Sequence, residues 1–174
     1  MVDKKKILIV EGNTREENNE FTNVGINTHT ESLIESIDFY EKKLDIDIAN
    51  PSSDKNLETS IENLEKYDGL IWGGSSLNIY NDTEEIRRQI EFMRVCQSKI
   101  KKILAICWGL QVAVTVAGGN VKKSTNGAHR GIAHDIKINK EGIKHKIYKD
   151  KKIKFNSPAF NFDEVVKLPT GAIL

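Results

Sequence analysis

Arginine is scarce in this chain: 5 Arg stand beside 21 Lys, and the 26 basic side chains are matched by 25 acidic ones for a formal net charge of +1. So balanced a charge predicts no strong electrostatic partner. Without Arg or interleaved aromatics, the lysines at Lys4 to Lys6 and from Lys149 to Lys154 read as solvated strand flanks, not as a nucleic-acid surface. Long apolar runs are missing as well. No stretch approaches the roughly 20 residues of a membrane span, and the short apolar run after Lys6 is too brief for a secretory leader, so the expected compartment is the cytoplasm. The two cysteines, Cys96 and Cys107, imply no disulfide framework. Cys96 shares a helical apolar face with Ile86, Ile90 and Met93 and reads as packing in a reduced protein. His-x-x-x-His and Cys-x-x-Cys spacings are absent, so His29, His129, His134 and His145 predict no metal site, with or without Cys107. Nor is there an internal repeat, a low-complexity tract or a dividing linker. At 174 residues and 39% hydrophobic, the chain suits one domain, residues 1–174, with a full core.

What is present centres on Lys101-Lys102-Ile103-Leu104-Ala105-Ile106-Cys107-Trp108-Gly109-Leu110-Gln111, an apolar run that ends in a cysteine and passes at once into a helix-compatible segment. That is the pattern of a nucleophile elbow. A side chain on a strand-to-helix turn projects from the carboxyl edge of a sheet, above unpaired helix N–H groups and a positive dipole end, where a thiolate is favoured. A buried core cysteine ending a buried strand is the other reading of this stretch alone. About thirty residues upstream, Tyr67-Asp68-Gly69-Leu70-Ile71-Trp72-Gly73-Gly74-Ser75-Ser76 is a second buried-strand pattern that ends in paired glycines. It reads either as a plain Gly-Gly turn or as a place where backbone approaches a ligand. In the second case the N–H groups of Gly74 and Trp108 would flank an oxyanion formed on Cys107.

The rest of the chain alternates. Residues Lys6 to Glu11 predict a strand, and Gly12 to Thr28 a long polar loop that reads equally as part of a lid or as a flexible surface insertion. A helix is expected over Glu31 to Leu44, a strand over Asp45 to Ala49, and a helix over Leu57 to Lys66. Asp82-Thr83-Glu84-Glu85 resembles a capping box opening a helix to about Gln97. Glycines from Ala117 to Asn120 suit a left-handed cap on the elbow helix. Short strands are expected at Ile132 to Ile138, Lys146 to Tyr148 and Lys152 to Phe155. Strand–helix alternation predicts a three-layer α/β fold of flavodoxin-like winding, a mostly parallel sheet with helices on both faces. Cys107 and Gly74 would share its carboxyl edge.

Taken together, Gly73-Gly74 and Ala105-Ile106-Cys107-Trp108-Gly109-Leu110-Gln111 resemble the class I glutamine amidotransferases. Their signature is a Gly-x-Cys-x-Gly-x-Gln elbow preceded by a strand ending in Gly-Gly; Ala105 stands here for the first glycine. The longer string from Gly74 to Asp82, with Cys107 to Ala113, is similar to stand-alone members akin to the amidotransferase domain of GMP synthase. The resemblance implies thiolate attack on the amide of glutamine, release of ammonia, and a γ-glutamyl thioester on Cys107 that water cleaves. It implies no cofactor. Gly73, Gln111 and Asn161 would contact the substrate, and glutamine or another γ-glutamyl compound is the expected ligand. A synthetase subunit or a second copy of the chain is the expected partner.

Departures from the pattern carry expectations of their own. The family's catalytic His and Glu lie in a His-Pro-Glu motif that these 174 residues do not contain. Asp163-Glu164-Val165-Val166-Lys167-Leu168-Pro169-Thr170-Gly171-Ala172 matches the stretch that normally leads towards it. A fragment, nearly inactive by itself, is therefore expected. His129 replaces the acidic residue of a Gly-Arg-Glu-x-Gly segment, and Asn161 stands where relatives place a histidine. His134 is the one histidine weighed as a substitute base for Cys107, against the plainer reading of a solvated strand residue. Two alternatives stay beside glutamine hydrolysis: a hydrolase of γ-glutamyl conjugates, and a catalytically silent ligand-binding domain.

Overall fold

The computed structural model describes residues 4–55 and 63–174. They pack as two compact units, Met1–Ala117 and Gly118–Leu174.

In the first unit, β1 (Lys6–Val10) pairs in parallel with β2 (Asp45–Ala49) on one side and β3 (Gly69–Trp72) on the other, and β4 (Ile103–Ala105) continues from β3. The order β2-β1-β3-β4 is that of flavodoxin-like winding, and all pairs are parallel. Leu8, Ile9 and Val10 are completely buried in succession. Three consecutive buried residues mean that both faces of the sheet are covered. Right-handed crossovers that step in opposite directions from β1 and from β3 place their helices on opposite faces. The chain also reverses direction between β1 and β3, so the crevice at their carboxyl ends is the switch point where such sheets bind ligands.

Helix α1 (Arg15–Asn23) lies inside the stretch expected to be a loop. Its apolar content is too low for periodicity, and none of its residues is buried, yet Thr14 and Glu17 close a reciprocal capping box. A second box, Thr28 with Glu31, opens α2 (His29–Tyr40), which ends four residues before the expected Leu44. The helix expected over Leu57 to Lys66 falls partly outside the described residues, and Leu64–Lys66 forms a single 3₁₀ turn.

Helix α3 (Glu84–Lys99) opens within the expected Asp82 to Glu85 stretch, with Thr83 at the N-cap but no side-chain capping bond. Asp82 takes a left-handed conformation and both its oxygens accept from Arg87, at 2.8 Å each, so its carboxylate is not available to cap. Ile86, Phe92, Met93 and Cys96 of α3 are buried, and Phe92 packs on Trp72 at 6.0 Å between centroids. Cys96 thus fills the packing role expected of it, and burial pushes its thiol up to about 12. After β4 comes α4 (Trp108–Val116), whose end passes into Gly118 at φ +84°.

The second unit consists of antiparallel pairs. Strand β5 (Asn120–Lys123) pairs with β8 (Asp163–Lys167), and β6 (His129–Lys137) with β7 (Lys154–Asn161). Both β6 and β7 outrun their expected lengths. Pro158 sits within β7 opposite Ile132, which a two-stranded ribbon tolerates because one strand edge needs no donor. The strand expected at Lys146 to Tyr148 is instead a 3₁₀ turn after α5 (Lys140–Lys144), capped by His145 Nδ1 accepting from Ile147 N–H at 3.3 Å. Among the described residues no helix is long and apolar enough to cross a membrane.

Candidate active site

The ladder that joins β3 to β4 builds the elbow. Ile106 N–H donates to Trp72 O at 2.9 Å, and one residue later Cys107 turns the chain with φ 53° and ψ −105°. A non-glycine residue there is strained, by about 1–3 kcal/mol, and such outliers cluster at functional sites. Cys107 is exposed and stands at the N-cap of α4. Gly109 N–H then donates to both Ile106 O and Gly73 O, at 3.0 Å each, so the elbow is tied to the Gly-Gly segment. The approach needs glycine, because a Cβ at position 109 would lie 2.5 Å from Trp72 O. Gln111 N–H donates to Cys107 O at 3.1 Å. Its side-chain Oε1 is sealed from solvent and has no hydrogen-bond partner among the described residues.

Beside the elbow, the segment after β3 leans on the loop after β1. At Gly12 a Cβ would stand 2.7 Å from Gly74 O and 2.8 Å from Trp108 Cδ1. Asn13, fully buried, accepts from Ser76 N–H at 2.9 Å, while its own N–H donates to the buried Glu11 at 2.8 Å and its carbonyl accepts from Ser52 Oγ at 2.6 Å. Gln89 of α3 donates to Gly12 O and accepts from Trp108 Nε1. The exposed ring of His29 lies 3.7 Å from where a Cβ on Gly74 would be, and 5.4 Å from the Phe21 ring.

Five of the residues predicted from sequence therefore gather at one sheet edge: Gly73, Gly74, Cys107, Trp108 and Gln111. Asn161 belongs to the second unit, where it lies opposite His129 across β6–β7 and its Nδ2 donates to Asp163 O at 3.0 Å. The two departures from the family pattern are thus register partners. His134 is exposed, beside the irregularity in β6 at which Asp135 takes φ 58°. A cleft of about 770 Å³ in the second unit, lined by Ile138, Tyr148, Phe155 and Ile173 among others, includes none of the predicted site residues. Among the described residues no three His, Cys, Asp or Glu side chains cluster to hold a metal ion.

Gln89, Gly12, Asn13 and His29 were not predicted as site residues. For Gln89 a signal existed: it interrupts the apolar face of Ile86, Ile90 and Met93, and a polar residue on a core face requires a buried partner.

The fold is a parallel α/β sheet with a cysteine elbow at its carboxyl edge. Residues 27–172 match the model of the family described as glutamine amidotransferase class-I, and the chain belongs to that family. It is 30% identical over 179 residues to a γ-glutamyl-L-1-hydroxyisopropylamide hydrolase of a Pseudomonas species, covering 99% of this chain and 59% of that protein. To γ-glutamyl peptidase 4 of Arabidopsis thaliana it is 30% identical over 115 residues, 65% of this chain and 45% of the peptidase. The chain thus spans about half the length of the curated relatives it matches. Among solved structures, a glutamine amidotransferase from Thermotoga maritima superposes with a TM-score of 0.68 at 18% identity, covering 97% of this chain and 64% of the other. A glutamine amidotransferase from Methylobacillus flagellatus gives 0.58 at 12% identity, over 99% of this chain and 60% of the other.

Proposed function

We propose that this chain carries the nucleophilic part of an enzyme that cleaves γ-glutamyl amide bonds, with Cys107 as the attacking thiol. The carrying observation is an exposed cysteine held at positive φ on a helix N-cap and laced through Gly109 to Gly73. The thiolate adds to the γ-carbonyl carbon, and the carbonyl electron pair moves to oxygen between the N–H groups of Gly74 and Trp108. Collapse breaks the C–N bond, the amine departs with a proton, and water hydrolyses the γ-glutamyl thioester. Gln111, on the first turn of α4 with its N–H on Cys107 O, helps hold the γ-glutamyl group, and Gly73 lets the substrate approach the backbone. The reading takes residues 1–174 as part of one catalytic domain whose base is a histidine of the His-Pro-Glu type, a motif these residues lack.

Conjugates of glutamate with larger amines are favoured over glutamine, because the curated relatives named above are a γ-glutamyl amide hydrolase and a γ-glutamyl peptidase. If glutamine is the substrate, a synthetase that consumes ammonia is the fitting partner; a homodimer serves either reading. A cytoplasmic setting suits the two thiols, neither of which forms a disulfide.

Intact-mass analysis after incubation with a chloroketone analogue of glutamine tests the proposal. One adduct is expected, located on Cys107 and lost in Cys107→Ala. Cys96 stays unmodified near neutral pH, since its thiol is pushed up to about 12. No adduct would leave a silent binding domain as the better reading.

A further inference from the structure

Gln89 takes no part in the mechanism above, yet its side chain is fully buried beneath the site and both ends of its carboxamide are engaged. Nε2 donates to Gly12 O at 2.9 Å and Oε1 accepts from Trp108 Nε1 at 2.7 Å. The arrangement is directional. Rotating the amide by half a turn would set oxygen against the Gly12 carbonyl and N–H against the indole N–H, so one orientation satisfies the pair. Gly12 in turn lies so near Gly74 O that a Cβ on it would stand 2.7 Å away, and its neighbour Asn13 accepts from Ser76 N–H. The loop after β1, the segment from Gly73 to Ser76 and the first residue of α4 are thereby joined in one cluster around Gln89, buried at Gly12, Asn13 and Trp108 and reaching solvent at Ser76. The two backbone donors assigned to the oxyanion, Gly74 and Trp108, sit on its outer members.

We propose that Gln89 is a positioning residue for the oxyanion hole: by gripping the Trp108 indole and the Gly12 carbonyl, it fixes the Trp108 backbone N–H relative to Gly74. The inference rests on the reading of Cys107 as nucleophile. Losing one oxyanion donor outright slows an acyl transfer by about 10²–10³. A donor kept but loosened costs less, on the order of 10 to 100-fold, given the penalty for misplacing groups by an ångström.

The test compares two reactions of the same thiol in the whole chain. With γ-glutamyl p-nitrophenyl ester, Cys107 Sγ bonds to the γ-carbonyl carbon, an oxyanion forms, and its collapse breaks the C–O bond and expels p-nitrophenolate. That leaving group needs no proton, so the first-turnover burst reads acylation alone. With iodoacetamide, the S–C bond forms as the C–I bond breaks and iodide leaves with the electron pair, and no oxyanion arises. Gln89→Leu and Trp108→Phe should each slow the burst roughly 10 to 100-fold, by the same loosening of the donor. Alkylation and its pH profile should stay within about twofold, and the double variant should be little worse than either single one, as expected for groups acting as a unit. Parallel loss of burst and alkylation overturns the inference, because a general disturbance of the elbow would slow both. So does an unchanged burst in Trp108→Phe, which keeps the backbone N–H while losing the indole donor and part of a buried ring; that variant decides the matter if Gln89→Leu does not fold. A wild-type chain with no burst even at alkaline pH, where the thiol ionises without a base, defeats the reading of Cys107 and this inference together, whereas the other two results defeat only the role of Gln89.

Discussion

The two edges of the parallel sheet are held together by different chemistry. Along the amino edge the links are charged and wet: Lys5 with Asp68 at 2.8 Å, Lys6 with Asp45 and Asp47 at 2.9 and 3.1 Å, and Tyr67 OH donating to Asp47 at 2.6 Å. At the carboxyl edge the links are mostly uncharged and mostly buried, running through Asn13, Ser52, Gln89 and Trp108 to the exposed Ser76, with the buried Glu11 carboxylate as the one charged member. Exposed ion pairs contribute about 0–1 kcal/mol each and tolerate movement. Buried neutral bonds cost more to break and admit fewer geometries. The edge that carries Cys107 and the Gly73-Gly74 pair is therefore built mainly from the second kind, whereas the opposite edge is held by ion pairs that keep the strands in register.

The sharpest way to break the contrast is Gly109→Ala. Its methyl would meet the Trp72 carbonyl at 2.5 Å, a backbone atom that cannot swing aside. We expect a loss of about 3 kcal/mol, at the upper end for overpacking, read as a lower midpoint in urea unfolding. Asn13→Ala is next. It empties a fully buried site and removes both the acceptor of Ser76 N–H and the donor to Asn18 Oδ1, and should cost about 2 kcal/mol in the same measurement. The smallest effect belongs to the amino edge. Tyr67→Phe removes one hydrogen bond to a carboxylate whose side chain is 40% exposed, so about 1 kcal/mol is expected at pH 7. The Tyr67 hydroxyl, and after it Lys6, holds the Asp47 carboxyl below the usual range. A group whose value is lowered by folding stabilises above its unfolded pKa, about 3.9, and loses that contribution as the pH falls through the lowered value. The gap between wild type and Tyr67→Phe should accordingly narrow below about pH 4, followed by thermal unfolding across pH. A gap that widens in acid would mean that the hydroxyl acts elsewhere.

Sequence patterns reached the carboxyl edge better than the connections around it. Strand β1, the elbow at Cys107 and the Gly73-Gly74 pair are short apolar runs with hard stops, and those stops are what chain geometry imposes on a buried parallel strand. Helix α1 escaped because its stability comes from the Thr14–Glu17 caps, not from an apolar stripe. The capping box placed at Asp82 failed for the opposite reason: the carboxylate had a better partner five residues on, in Arg87. In the second unit, β7 alternates between exposed and half-exposed residues, so the apolar signal that marks a strand was weak and the boundaries slipped. Gln89 was visible as a polar interruption of an apolar face, but its two partners are 77 residues before it and 19 after it, which no local pattern connects.

The φ of 53° at Cys107 has a consequence for how this protein responds to selection. Glycine occupies such a backbone conformation with little strain, whereas cysteine does not. A library sorted for yield or heat resistance alone would enrich glycine at position 107 and discard the thiol early, with the fold intact and improved. Retention of cysteine under such sorting would itself report that something other than stability was being selected.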